Sequence, residues 1–375
     1  MAETKMIAIN PSVAADGWRS TNSTIDSIPE TDEDSKLLNA IHQGWQYIGD
    51  SNYLNTISMK GLFDSVYQSK PPIVDGLLHR GTYLFVGAPK LGKSFLMAQL
   101  AYHVSTGTSL WGHETHKGTV LYLALEDDYG RLQQRLYRMF GAAENENLFL
   151  AVTAEQLGCG LEDQLDSFLQ EHRDTSLIII DTLQKIRATN GDNYSYANDY
   201  QIITRLKAFA DAHRICLIVV HHTRKQKADD AFDMISGTNG LLGAADGAFI
   251  LKKEKRTANT ATLEVSGRDQ QDQRLHLIKD EVSLCWKLDR EETELWKVPP
   301  EPLLEEVAKR ITPDNPQWTG SPTELCAYLD VDLKPNALTQ KLNVNAGRLI
   351  QDYGINYRNK HGHAGRQITL SLAGA

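Results

Sequence analysis

The chain has 375 residues, of which 41% are hydrophobic and 23% charged, and its formal net charge is −9. These are the proportions of a globular protein with room for one full α/β domain and a smaller one. The acidic balance excludes a uniformly basic, nucleic-acid-coating surface, while leaving a local basic patch open.

Residues 1–36 hold seven carboxylates against three cations and read as a mostly disordered acidic tail. Over 37–70, Leu38, Ile41, Trp45 and Ile48 recur at helical spacing, which predicts a helical segment. Pro71 and Pro72 open a core expected over 71–298. Its first strand, Tyr83–Val86, runs into GAPKLGKS at Gly87–Ser94 and then an apolar helix from Phe95 to Ala101. A second strand, Thr119–Leu125, ends in Glu126, Asp127 and Asp128, and a charged helix follows from Tyr129 to Phe140. Strands are also expected at Leu148–Val152, at Leu177–Ile180 before Asp181, at Cys216–Val220 before His221 and His222, and at Gly247–Leu251. Helices fill the intervals, at Leu161–Glu171 and after a polar loop from Lys185 to Asn198. Apolar strands alternating with helices predict a mostly parallel sheet covered on both faces. Ala261–Ser266 and Leu275–Lys279 add an antiparallel hairpin at its edge.

A C-terminal domain is expected over 299–375, after a hinge at Pro299, Pro300 and Pro302. Leu303–Ile311 reads as a helix, and Ser321-Pro322-Thr323-Glu324 as a capping box that starts another. A third runs from Pro335 to Tyr353, and Ile355–Arg358 and Gln367–Leu372 flank the turn His361–Gly365. Three helices and a hairpin outline a winged-helix-like α+β unit. Between Lys334 and Ile368 stand six Lys or Arg and one acid. Lys341, Arg348, Arg358, Lys360 and Arg366 are the expected phosphate contacts to duplex DNA.

The glycine-rich turn carries the chemistry. G-x-x-x-x-G-K-S between a strand and a helix aims backbone N–H groups and a helix dipole at one point, which suits a polyphosphate. Gly87, Ala88, Pro89, Lys90, Leu91, Gly92, Lys93, Ser94 and Phe95 form the cradle, with ATP and Mg²⁺ as the expected ligands. Lys93 reaches the β- and γ-phosphates, and the Ser94 hydroxyl ligates Mg²⁺, with Asp181 supporting the metal from the next motif. Glu126 is the candidate that polarises the attacking water, with Asp127 and Asp128 as rivals. His222, beside His221, is a candidate sensor of the γ-phosphate. Relief of transition-state charge calls for an arginine. Arg268, at a hairpin tip, is the candidate to enter a neighbouring subunit, and Arg256, Arg274 and Lys253 are alternatives. The four cysteines, Cys159, Cys216, Cys285 and Cys326, form no C-x-x-C pair and read as reduced, mostly buried thiols. No apolar run nears about 18 residues, and the N-terminus lacks a secretory layout, so a cytoplasmic protein is expected.

This set resembles the RecA-like ATPases of helicase superfamily 4, especially plasmid RepA-type replicative helicases and AAA-family ATPases of mobile elements. The matching pieces are Leu77-Leu78, GAPKLGKS at Gly87–Ser94, LYLALED at Leu121–Asp127, LIIIDTLQ at Leu177–Gln184, VVHHTRK at Val219–Lys225 and SGTNGLLGAADG at Ser236–Gly247. The resemblance implies a ring, usually a hexamer, with ATP between subunits and single-stranded DNA in the channel. Two polar loops would line that channel, offering Lys185 and Arg187, then Arg224, Lys225 and Lys227. Asp229, Asp230 and Asp233 depart from a purely basic second loop. Three functions fit: a ring helicase or translocase in replication, a DNA-binding loader or regulatory ATPase, and an initiator that uses nucleotide only as an assembly switch.

Overall fold

The computed structural model describes residues 54, 56–67, 70–187, 196–222, 240–255, 257–268, 270–292, 301–362 and 365–373. The expected acidic tail, most of the N-terminal helical segment, the second polar loop, the 299–300 hinge and the wing tip at 363–364 lie outside the described residues. Of the N-terminal segment, a short helix α1 (Met59–Asp64) is described.

The core alternates strand and helix. In chain order come β1 (Gly81–Gly87), α2 (Lys93–Thr106), β2 (Thr119–Ala124), α3 (Tyr129–Phe140), β3 (Leu148–Ala151) and α4 (Leu161–Glu171). Then follow β4 (Thr175–Asp181), α5 (Leu183–Ile186), α6 (Tyr196–His213), β5 (Cys216–His222), α7 (Gly240–Ala244) and β6 (Gly247–Lys252). Three further strands, β7 (Thr260–Gly267), β8 (Gln270–Lys279) and β9 (Trp286–Glu291), complete one nine-stranded sheet in the order β3-β2-β4-β5-β1-β6-β7-β8-β9. The first six in that order pair in parallel, and β7, β8 and β9 are antiparallel.

Strand periodicity explains the two covered faces. Tyr83, Phe85, Tyr122, Ile179, Ile218 and Phe249 pack on one side with Leu96, Leu100 and Leu132 from α2 and α3. Their neighbours Leu84, Val86, Leu121, Ile178, Val219 and Ile250 pack on the other with Leu165, Leu206 and Leu241 from α4, α6 and α7. Each fully buried aliphatic side chain contributes about 1.5–3 kcal/mol, so the continuous β-branched runs can only be central strands. The expected α/β class is borne out.

The edge strand β9 has no alternating pattern that the sequence could reveal. It is recruited by Trp286, which is fully buried and whose backbone exchanges two hydrogen bonds with the Gln99 side chain, at 2.7 and 2.8 Å. Asp246, in the last of the matched motifs, is structural. It accepts from the Thr82 amide at 2.9 Å and pairs with Lys207 at 2.6 Å, pinning the start of β1.

The C-terminal residues form α8 (Pro302–Arg310), β10 (Gln317–Gly320), α9 (Pro322–Leu329), α10 (Pro335–Val344), α11 (Ala346–Tyr353), β11 (Ile355–Gly362) and β12 (Gly365–Leu372). A separate three-stranded antiparallel sheet, β10-β12-β11, closes over their own apolar core. The Ser321 capping box is present in both directions, with Glu324 accepting from the Ser321 amide at 2.7 Å. The single helix expected over Pro335–Tyr353 is divided instead at Asn345, where the backbone turns to φ −98° and ψ 13° and the backbone N–H and side-chain amide both donate to the Lys341 carbonyl, at 3.1 and 2.8 Å. The polar strand β10 is the other element that sequence pattern does not reveal. Among the cysteines, Cys216 is buried, but Cys159 is exposed, which corrects the expectation of burial for that thiol.

Candidate active site

Backbone geometry shapes the loop between β1 and α2. Gly92 lies at φ 98° and Lys90 at φ 66°, the left-handed turns that let consecutive amides point inward. Gly87 is required for a different reason. A Cβ there would sit 2.8 Å from the Leu251 carbonyl oxygen, because β6 runs alongside.

The Lys93 ammonium is folded back into this loop. It donates to the carbonyls of Gly87 at 2.8 Å and Ala88 at 3.1 Å, and lies 2.9 Å from His222 Nδ1. Burial pulls its pKa down to about 8, against the opposing pull of Asp181 and Glu126. Burial and the neighbouring lysine also hold the His222 imidazolium below its ordinary range. A neutral His222 that accepts from Lys93 at Nδ1 carries its hydrogen on Nε2, which is 4.0 Å from Glu126 Oε1. One ring thus spans the phosphate lysine and the candidate base.

Asp181 ends β4 and is almost fully buried. Its Oδ2 accepts from Ser94 Oγ at 2.7 Å and from the Tyr122 hydroxyl at 3.0 Å. Burial raises its pKa, opposed by these two hydrogen bonds. The pairing of an oxygen carboxylate with a serine hydroxyl at the loop fits Mg²⁺, a hard cation that keeps several waters and takes few protein ligands. Consistently, among the described residues no cluster of three His, Cys, Asp or Glu side chains is gathered for a tighter metal. Tyr122 is a site residue that sequence reasoning missed. It lies two residues before Ala124 on the same face of β2, the only signal the sequence offers.

The three adjacent acids have separate environments. Asp127 is bound by Arg135 at 2.6 and 3.1 Å and by Arg131 at 3.1 Å, with 7% of its side chain exposed. Asp128 caps α3, accepting from the Arg131 amide at 2.9 Å. Glu126 is 48% exposed and accepts one long hydrogen bond from Thr182, at 3.2 Å. Of the three, only Glu126 keeps a carboxylate open toward the loop.

Glu126, Asp181, His222 and the phosphate loop therefore follow β2, β4, β5 and β1, four adjacent strands, at one edge of the sheet. Arg268 is not among them. It follows Gly267, which pairs with Gly247, whereas Gly87 pairs with Leu251. Four residues of strand, about 13 Å, separate those levels, so Arg268 stands at the opposite edge from its own phosphate loop. Its side chain is exposed and donates to the Gly243 carbonyl at 3.4 Å. Of the alternatives, Arg274 is paired with Glu264 and Glu292, Arg256 lies outside the described residues, and Lys253 lies on the loop's own side of the sheet.

Lys185 is exposed on α5 and Arg187 follows it, half-buried; Arg224, Lys225 and Lys227 lie outside the described residues. In the C-terminal unit the expected basic patch is partly neutralised. Lys341 pairs with Glu301 at 2.9 Å, Arg348 with Asp352 at 3.6 Å and Arg366 with Asp64 at 3.1 Å. Arg358 and Lys360 on β11 are exposed, and among the described residues no carboxylate pairs with either. Sequence proximity could not reveal this, because Glu301 and Asp64 lie outside the basic stretch.

A family model described as AAA domain matches residues 54–228, the span that holds the phosphate loop, Glu126, Asp181 and His222. Over that span the chain is similar to an AAA domain. The matched span holds the motif-bearing strand ends, so the resemblance to RecA-like AAA-family ATPases is borne out. No curated protein matches the sequence. Among solved structures, the chain is similar to an ATPase domain, with TM-score 0.47 and 15% identity over 69% of this chain and 99% of that one. It is also similar to a DnaB-like replicative helicase studied with primase, with TM-score 0.48 and 14% identity over 71% of this chain and 68% of that one. No helix among the described residues is long and apolar enough to cross a membrane.

Lys93 sets a pH dependence. A bound polyphosphate favours the Lys93 ammonium, so above pH 8 nucleotide binding takes up a proton and affinity falls as pH rises. Calorimetry in buffers of different ionisation enthalpy measures that uptake. Proton release on binding, or an affinity flat from about pH 7 to 9.5, contradicts the geometry.

Proposed function

We propose that the protein is an ATP-hydrolysing, ring-forming DNA helicase or translocase that acts in the replication of a plasmid, phage or integrated element. The reading is supported above all by one arrangement: Glu126, Asp181, His222 and the phosphate loop lie at one edge of the sheet, while the exposed Arg268 lies at the opposite edge. A site whose charge relief comes from the far edge of another copy is completed only by assembly. Head-to-tail repetition of such an interface closes into a ring, here read as a hexamer.

In the proposed cycle the β- and γ-phosphates lie in the loop at Gly87–Ser94, and Lys93 turns from the carbonyls of Gly87 and Ala88 to the phosphate oxygens. Ser94 and Asp181 would hold Mg²⁺, which would supply charge neutralisation at the phosphates. Glu126 accepts a hydrogen bond from the attacking water and orients it in line. His222, bonded to Lys93 and facing Glu126, reports whether the γ-phosphate is present. Arg268 of the neighbouring copy meets the transition-state charge. Lys185, with Arg187 and the cations of the second loop, would track a single strand in the channel.

The helix and strand order of the C-terminal residues supports a winged helix, and the exposed Arg358 and Lys360, which pair with no carboxylate among the described residues, lie on its β11 strand. That observation supports the second reading, a DNA-binding loader or regulatory ATPase that places replication proteins without unwinding DNA. Replacing Arg358 and Lys360 by Ala should weaken duplex binding and lower the slope of log affinity against log salt by about 2. Replacing Lys341 or Arg366, which are already paired, should change that slope far less. A slope unchanged in the double variant removes the wing from the interface. Forked-duplex unwinding with ATP, run beside a mass measurement of the assembled species, separates the readings. Unwinding by a hexamer supports the motor, a ring that hydrolyses ATP without unwinding supports the loader, and a monomer indifferent to ATP and DNA removes both.

A further inference from the structure

The flank of the phosphate loop away from Glu126 holds a group of cations that the hydrolysis set does not use. Lys253 follows β6 and Lys279 ends β8, and their ammonium groups lie 5.3 and 5.8 Å from the centroid of the Trp286 ring. Lys279 also sits 3.9 Å from the centre of the Phe95 ring, which Arg135 approaches at 5.1 Å. This group touches the loop itself. A Cβ on Gly92 would lie 3.3 Å from Trp286 Cζ2 and 3.6 Å from Lys279 Nζ, and Trp286 Nε1 donates to the Gly92 carbonyl at 3.4 Å.

Acids balance only part of this charge. Arg135 is spoken for by Asp127, and Arg138 by the carbonyls of Glu281 and Val282. Lys253 donates to the Ala258 carbonyl at 2.7 Å, and among the described residues no carboxylate pairs with Lys253 or Lys279. Burial lowers both lysine pKa values, and for Lys279 the charges of Lys253, Arg138 and Arg135 lower it further. Two aromatic faces offset part of that repulsion. An anion would offset the rest.

The sheet order says which anion. Glu126, Asp181 and His222 stand on the β2, β4 and β5 side of the loop, and that is where a γ-phosphate must lie. The other neighbour of β1 is β6, which leads directly to Lys253. A linear polyphosphate with its γ end at Glu126 therefore crosses the loop toward Lys253 and Lys279. We propose that Lys279, assisted by Lys253 on the Phe95–Trp286 platform, binds the α-phosphate of the nucleotide, a contact that pyrophosphate held at the β and γ positions does not reach. This rests on the nucleotide-site reading above and names the residues that recognise its nucleoside-proximal end.

The test is titration of the full chain with ADP and with pyrophosphate, each with Mg²⁺, for wild type, Lys279→Met and Lys279→Arg. Methionine keeps the apolar stem over Phe95 and removes the charge. ADP affinity should fall about 10- to 100-fold in Lys279→Met, the loss of one charge-assisted hydrogen bond, while pyrophosphate affinity stays within about twofold. Lys279→Arg should recover most of the ADP affinity. An unchanged ADP affinity overturns the proposal, and so does an equal fall for both ligands, which would mark a lysine that only shapes the loop. Should Lys279→Met misfold, Lys253→Met carries the same comparison, with a smaller loss for ADP alone expected. Wild-type protein that binds neither ligand overturns the nucleotide site itself, an outcome distinct from a normal site indifferent to Lys279.

Discussion

Replacing Glu126 by Gln leaves nucleotide binding near the wild-type level and lowers ATP turnover by about 10²–10⁴-fold, the usual contribution of a positioned general base. Gln keeps the hydrogen bond to Thr182 and the shape of the side chain, but it cannot accept a proton from water. Three consecutive acids make the assignment sensitive to environment. Asp127 is committed to Arg135 and Arg131, and Asp128 to the first turn of α3. Removing Asp127 would leave a largely buried guanidinium without its partner, so Asp127→Asn should lower stability before it lowers turnover. Phosphate release and ADP titration on the two variants decide the matter. Normal turnover in Glu126→Gln, with turnover lost in a stable Asp127→Asn, would move the base by one residue.

Replacing Lys93 by Met removes nucleotide affinity by about 100-fold or more, as expected when a desolvated charge partner of two phosphates is lost, at about 3 kcal/mol or above. The same variant should not be less stable without ligand. The wild-type ammonium is buried among two carbonyls and an imidazole, and its pKa lies below the ordinary lysine value of 10.5, at about 8. Because the folded value is the lower one, its cost to folding is full below pH 8 and fades as pH rises toward 10.5. Wild type should therefore gain stability across that window from this group, and Lys93→Met should not. Thermal melts of both chains across the window from about pH 7 to 10 measure the difference. Tight ADP binding by Lys93→Met would place the nucleotide elsewhere.

These expectations depend on a site that is partly readable from residue order. The glycine-rich turn, the acid after the Leu177–Ile180 run, the glutamate after Leu125 and the histidines after Val220 are local patterns. Parallel α/β topology brings strand C-termini to one edge, so four such patterns in alternating segments are enough to predict that they meet. The geometry adds what no local pattern holds: that His222 bridges Lys93 and Glu126, that Tyr122 braces Asp181, and that Asp127 is held by α3.

The basic C-terminal stretch shows the opposite case. Six cations against one acid suggest a continuous DNA-binding face, yet Lys341 and Arg366 find carboxylates at Glu301 and Asp64, far away in sequence. Charge counted along a chain measures composition, whereas charge presented to a ligand depends on which side chains fold together.

By itself the sequence determined the class of fold, the phosphate-binding loop and the identity of the acids and bases at the strand ends, because each depends on residues within one turn or one strand. Only the tertiary structure decided which acid stays open, which arginine stands too far from its own loop, and where unpaired lysines gather. Those depend on strand order and on partners distant in the chain, which local periodicity does not encode.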